Sequence, residues 1–427
     1  MGAARVAAAL VAAALSSASL AQSRFLVNDR TNDSIYVLHD ANGNGVIDEP
    51  GEVAVFFSAA NASGIPGPLN PTCLAVRRDG LTLMGDQDSA RRLLYILRDL
   101  SGDHDANDAG EAIVAADATN ASGVSFAFPT GAEFDSRGRL YVVNAGNSFG
   151  DDLVVRLVDL NGDGDFQDPG EITHYVGVPF FGPGNGPYSP QEIVFDASDV
   201  MYLRNSSANL HGVWRFEDLN GNGRADDAGE ATVFFDSTNA SGVIVSAGFA
   251  IDVDRRRPGS LYYHQLASGG VDQVYRLTDL NGDRDANDAG EAVLVYSTAE
   301  SGFTSIDVTS LYAGRVLFSD NTGNRIVALD DLDNDSLFSS VGERSDFFAN
   351  STLILGDVRQ VNIVPCPADW DRSKSITPAD VAAFVNDWSA SVAGGTFQAD
   401  FDYSGAATPA DVAAFVNAWF AAVAGGC

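Results

Sequence analysis

Asp279-Leu-Asn-Gly-Asp-Arg-Asp-Ala-Asn-Asp-Ala-Gly-Glu291 is one of six copies of a thirteen-residue pattern, the others lying at 40–52, 99–111, 159–171, 218–230 and 331–343. Oxygen-bearing side chains stand at positions 1, 3 and 5 and a glutamate at 13, while glycine holds position 4 in five copies and position 12 in all six. Alternating Asp and Asn side chains around a tight glycine turn can point at one hard cation. An all-oxygen, geometrically tolerant ligand set is calcium chemistry. The expected ligands are Asp40, Asn42, Asn44, Asp48 and Glu52 in the first copy, and Asp99, Ser101, Asp103, Asp105, Asp108 and Glu111 in the second. The third offers Asp159, Asn161, Asp163, Asp165, Asp168 and Glu171, and the fourth Asp218, Asn220, Asn222, Asp227 and Glu230. The fifth offers Asp279, Asn281, Asp283, Asp285, Asp288 and Glu291, and the sixth Asp331, Asp333, Asp335 and Glu343. The alternative is a set of acidic hairpin turns held by Asx hydrogen bonds without metal.

The copies are unequal. The first has Val46 at position 7, the fourth Arg224 there, and the sixth Asn334 and Ser340 at positions 4 and 10. Affinity should fall with ligand charge and loop rigidity, so these three are the weaker sites. In the fourth copy either Asp226 or Asp227 can supply the late carboxylate.

First-position aspartates recur at spacings of 59, 60, 59, 61 and 52 residues. A period near sixty decides architecture before any local element does. Each period holds four short stretches rich in Val, Tyr, Phe and Leu, such as Ala250-Ile-Asp-Val, Ser260-Leu-Tyr-Tyr, Asp272-Gln-Val-Tyr-Arg-Leu and Ala292-Val-Leu-Val-Tyr. They read as antiparallel strands. Four-stranded units repeated radially make a six-bladed β-propeller over residues 22–364. A β-sandwich with added hairpins is the alternative, but it gives no reason for every unit to bury both faces. Only two strand-like stretches precede the first loop, Arg24-Phe-Leu-Val and Ser34-Ile-Tyr-Val-Leu, so Leu353–Val364 is expected to supply the missing innermost strand and close the ring. Each acidic loop joins a third to a fourth strand, which places all six on one face. The blade-to-blade connections, including Asn61-Ala-Ser-Gly, Asn120-Ala-Ser-Gly and Asn239-Ala-Ser-Gly, are expected on the opposite face. These match a glycosylation sequon but recur in phase with the fold, and read as structural turns.

The formal charge of −33 argues against nucleic acid and anionic membrane as partners, since no basic patch offsets it. Residues 1–21 read as a secretory signal peptide, with Arg5, an alanine-rich apolar run and Ser19-Leu20-Ala21 for cleavage. An N-terminal anchor is the alternative, and no other run is long enough to span a membrane. The protein is therefore expected to be secreted, extracellular or at the cell surface.

Composition shifts at Val364-Pro-Cys-Pro367, and residues 365–427 form a second domain. Asp369, Asp371, Ser373, Thr377 and Asp380 fall at positions 1, 3, 5, 9 and 12 of an EF-type calcium loop, and Asp400, Asp402, Ser404, Thr408 and Asp411 repeat it thirty-one residues on. Each loop leads into a helix opened by a Thr-Pro-Ala-Asp cap, with Val381, Phe384, Val385 and Trp388, or Val412, Phe415, Val416 and Trp419, on one face. The 62 residues from Cys366-Pro-Ala-Asp369 to Gly426-Cys427 resemble a dockerin domain, in the variant that ends secreted planctomycete-type proteins. That resemblance implies a calcium-dependent module attaching the chain to a cohesin-like receptor. The serines at position 5 and Lys374, where glycine is usual, depart from the family and weaken the expected sites. A helical pair that merely stabilises the propeller is the alternative. Cys366 and Cys427 bracket the module and are expected to pair, unless Gly426-Cys427 is an attachment signal; Cys73 reads as a buried free thiol.

The repeats resemble calcium-rich secreted bacterial propellers, a broad type that includes lactonase-like and phytase-like enzymes. Asp135, Asp196 and Asp252 could line a central metal site of such an enzyme or merely close strand ends, and Arg255-Arg-Arg257 is the one compact basic run. The five histidines make no zinc spacing and no nucleophile elbow occurs. These observations favour a binding or structural module with an unknown ligand over an enzyme, with a calcium-dependent propeller hydrolase, lactonase-like or phosphoesterase-like, as the alternative.

Overall fold

The computed structural model describes residues 24–146, 152–177, 189–206, 211–267, 271–297, 305–310, 315–320, 323–349, 355, 358–371, 376–394, 399–404 and 406–425. Residues 1–21, expected to be a signal peptide, lie outside them, as do Ser373 and Cys427. The chain divides into two compact units, one of them Arg24–Val364 and the other including Pro365–Cys427.

Arg24–Val364 forms six four-stranded antiparallel sheets. From innermost to outermost, blade two is Pro71–Val76, Thr82–Asp86, Leu93–Leu97 and Ala112–Ala116, and blade three is Pro129–Phe134, Leu140–Asn144, Leu153–Leu157 and Ile172–Val176. Blade four is Pro190–Phe195, Met201–Asn205, Gly212–Phe216 and Ala231–Phe235, and blade five Ile251–Val253, Ser260–Ala267, Val271–Thr278 and Ala292–Ser297. Blade six is Ser305–Ser310, Arg315–Asp320, Arg325–Asp330 and Arg344–Ala349. Blade one takes its innermost strand, Val358–Val364, from the end of the propeller and its other three, Arg24–Asp29, Ser34–His39 and Val53–Phe57, from the beginning. Val364 pairs with Arg24 and Val361 with Val27, closing the ring as the strand count requires.

Strands in the middle of a blade lack in–out alternation because both faces are covered; Leu93–Leu97 and Met201–Asn205 are buried at every residue. Apolar clusters form between neighbours, as where Leu83, Ile96 and Ala115 of blade two meet Val142, Val155 and Phe166 of blade three. A register shift interrupts the pairing of the third and outer strands in every blade, for instance between Leu94 and Tyr95. Such bulges sharpen the twist. They swing the end of each outer strand toward the next blade.

The second unit holds two helices, α1 (Pro378–Gly394) and α2 (Pro409–Gly425). Phe384 and Phe415 stack with centroids 4.3 Å apart, walled by Trp370 and Phe401. Sequence duplication becomes reciprocal bonding: Trp388 Nε1 donates to Thr408 O at 2.8 Å and Trp419 Nε1 to Thr377 O at 3.0 Å. No helix among the described residues is long and apolar enough to cross a membrane.

Candidate metal loops and the channel cluster

The acidic loops are built from backbone turns. In the first five the leading aspartate accepts N–H groups from positions 4 and 6: Asp159 takes Gly162 N at 2.6 Å and Gly164 N at 2.9 Å, and Asp279 takes Gly282 N and Arg284 N at the same distances. Position 6 lies in the left-handed region in all six loops, although three carry His104, Arg284 and Ser336 there rather than glycine. L-residues pay roughly 1–2 kcal/mol for that conformation.

Glutamate at position 13 has a second job that its spacing did not reveal. All six (Glu52, Glu111, Glu171, Glu230, Glu291 and Glu343) are at most 3% exposed. One carboxylate oxygen accepts from the start of the loop and the other from position 10 or nearby. Glu171 takes Leu160 N at 3.0 Å and Asp168 N at 3.0 Å; Glu111 takes Leu100 N and Ser101 N at 2.8 Å and Asp108 N at 3.2 Å. Burial pushes the Glu52 carboxyl up, but the N–H groups of Glu49, Asp48, Asn42 and Ala41 outweigh it and hold it below its ordinary value.

The remaining side chains converge inside. Oxygens of Asp103, Asp105 and Glu111 lie within 4.8 Å of one another, as do those of Asp331, Asp333 and Asp335. In the third and fifth loops an asparagine amide points at two carboxylates, Asn161 at Asp163 and Asp168, and Asn281 at Asp283 and Asp288. In the first, Asn44 Nδ2 donates to Asp48 at 3.2 Å. The fourth loop resolves its ambiguity: Asn220 and Asn222 both donate to Asp227, whereas Asp226 faces outward to Arg224 and to Gly177 N of blade three. Burial first, then neighbouring carboxylates, hold Asp165 and Asp285 above the ordinary carboxylate range. A crowd of oxygens around one point, partly answered by amide hydrogens, fits a divalent cation. Calcium would supply there the fixed positive charge that lets these carboxylates stay together.

The loops also join the blades. The residue at position 8 is apolar and buried in each copy (Ile47, Ala106, Phe166, Ala225, Ala286 and Phe338). Its N–H donates at 2.7–2.9 Å to the outer strand of the preceding blade, Ala106 to Phe56 O and Ala286 to Phe234 O among them; Ile47 reaches Phe347 O across the closure seam. The Asn-Ala-Ser-Gly turns correct the expectation of an opposite face. Asn120 and Asn239 each tie their own turn through two carbonyls, while Ser63 Oγ reaches Asp108 O at 2.7 Å and Ser241 Oγ reaches Asp288 O at 2.9 Å in the next blade's loop. Outer-strand twist carries these turns to the neighbouring loop.

In the second unit, Asp369, Asp371 and Asp380 converge, as do Asp400, Asp402 and Asp411. Asp380 braces its loop through Asp371 N and Thr377 N, and Asp411 through Phe401 N, Asp402 N and Thr408 N. Thr377 and Thr408 turn their hydroxyls to Ala379 N and Ala410 N as helix caps, and Ser404 Oγ lies 3.4 Å from Asp400 Oδ1. Cys366 is disulfide-bonded, and Cys73 is a buried free thiol whose proton burial holds more tightly.

Asp135 and Asp196 close strand ends. Asp135 accepts from Arg137 N, Arg139 N and the Arg139 guanidinium, and Asp196 from Ser198 N and Val200 N. Asp252 is different, for it lies within the innermost strand of blade five with Arg255 at 3.7 Å. Across the channel, on blade three, stands Glu133, a residue the sequence reading passed over. Burial pushes its carboxyl up to about 7, partly opposed by Arg255 and the Phe134 N–H and reinforced by Asp252. Blades three and five are not neighbours, so these groups meet only across the channel. Strand order puts them at its acidic-loop end. Toward the other end Gln360 Nε2 of blade one donates to Glu192 Oε2 of the opposite blade four at 2.7 Å, and bridges the channel.

No family model matches this chain, and no curated protein does. Among solved structures it is similar to the nidogen/laminin complex, with TM-score 0.51 and 13% identity over 81% of this chain and 100% of that one. A putative 6-phosphogluconolactonase from Bacteroides fragilis matches with TM-score 0.47 and 11% identity over 81% and 98% of the chains. A virginiamycin B lyase from Staphylococcus aureus matches with TM-score 0.42 and 13% identity over 78% and 87%. At these identities the likeness is one of fold. A fold alone does not favour a binding module over an enzyme, so the preference against an enzyme is withdrawn. This chain is a six-bladed propeller whose acidic clusters could hold divalent metal.

Proposed function

We propose that the chain is a secreted, calcium-loaded propeller hydrolase working at the acidic-loop end of its channel, on a lactone or phosphoester. The observation that carries this reading is Glu133. A carboxyl that titrates near 7 is half protonated at neutral pH and can take a proton from an attacking water and return it to a leaving group. Arg255, beside both Glu133 and Asp252, holds a positive charge where a substrate oxygen gains a negative one. The six loops hold the blades, and so the strands that carry these groups, in fixed relation. The tail is proposed to dock onto a cohesin-like receptor at the surface of the producing cell. The test is a panel of lactones and phosphoesters with purified, calcium-loaded protein. Turnover by wild type and at least a ~100-fold loss in Glu133→Gln are expected. Binding with no turnover in wild type would identify a binding module instead.

A further inference from the structure

The sixth loop is built differently from the others. Its first aspartate, Asp331, accepts one N–H within the loop, from Ser336 at 3.3 Å, where Asp159 and Asp279 each take two at 2.6–2.9 Å. Its other oxygen meets Arg256 Nη1 at 3.1 Å, and the Asp331 side chain is 2% exposed. Arg256 belongs to the turn after the innermost strand of blade five. Two more arginines of that blade seize the same loop, Arg257 through Ser336 Oγ and Arg276 through Ser336 O at 2.9 Å. Position 10, a carboxylate in all five other loops, is Ser340, whose hydroxyl donates to Asp333 at 2.8 Å.

We infer that Arg256 is a tethered cation that answers Asp331 in place of a metal ion, so that the sixth loop clasps blade five without calcium. A guanidinium fixed on a turn of the neighbouring blade has a far higher local concentration than any free ion. It also keeps its charge at any working pH and holds Nη1 against Asp331 Oδ2. Loops without such an arginine at their first aspartate need the ion; this one has its charge built in. The inference rests on the calcium reading of the other loops.

The experiment compares full-length wild type, Arg256→Met and Arg256→Met/Asp331→Asn by equilibrium calcium binding and by melting in chelator. Arg256→Met keeps the apolar stem and removes the charge. It should bind one more calcium per chain at a free concentration where wild type has levelled off, and the double variant should lose that extra ion. In chelator, Arg256→Met should melt about 4 °C below wild type, because an enclosed carboxylate has lost its partner. Identical calcium stoichiometry in wild type and Arg256→Met, or an unchanged melt in chelator, would overturn the inference. Calcium binding by none of the three would overturn the calcium reading itself, and the melt in chelator would still judge the arginine clasp.

Discussion

Replacing Glu291 by alanine tests whether the acidic loops are held by their own backbone before any ion arrives. Glu291 is 2% exposed and accepts Leu280 N at 2.8 Å and Asp288 N at 3.0 Å. Truncation leaves two donors facing a gap. Each lost bond to a charged acceptor costs roughly 1.5–3 kcal/mol, so the pair comes to about 4 kcal/mol. A propeller of roughly 340 residues unfolds with an entropy near 0.7 kcal/mol per kelvin, which makes the loss about 5–6 °C in Tm. Calorimetry of the full chain in chelator is the assay, with Glu291→Gln as the milder variant, since one oxygen remains. A shift below about 1 °C in chelator would refute the brace and leave the glutamate as a metal ligand alone.

Chelation of the wild type should lower Tm by several degrees and added calcium should restore it; within the set, Asp279→Ala should lose one bound calcium per chain and Asp331→Ala none, because Arg256 already meets Asp331. Arg284 sits at φ +79° where three sister loops carry glycine, so Arg284→Gly should hold or raise Tm by up to about 1 kcal/mol equivalent, read by the same scan. Glu133 binds its proton more tightly folded than unfolded, so its contribution is complete below the ordinary glutamate pKa and fades as pH rises through about 7. Glu133→Gln should therefore flatten the stability decline between pH 5 and 8, and parallel wild-type and variant curves would contradict the assignment. Non-reducing peptide mapping should recover Cys366 joined to Cys427.

The repeat could be read from the chain because it is a local signal stated six times. Spacing gave blade number, and the missing first strand gave the closing segment, since a sheet of four needs a fourth partner. Convergence of Asp103 with Asp105, or Asp400 with Asp402, was equally legible, because side chains two apart around a turn must face one way. Glu133 was not. Nothing in Gly131-Ala-Glu-Phe marks a perturbed carboxyl. Its environment comes from Asp252 and Arg255, more than a hundred residues on and two blades away. The clasp between Ala106 N and Phe56 O was hidden for the same reason. It depends on the twist that a bulge adds to an outer strand, and strand order alone had set the Asn-Ala-Ser-Gly turns on the wrong face. Asp226 and Asp227 were indistinguishable until blade three presented Gly177 N to one of them. Local pattern thus determined the blades, the loops and the duplicated tail, whose geometry is set within a few residues of chain. The ring decided which carboxylates are braced, which are paired with arginine and which face the channel, because those partners come from other blades.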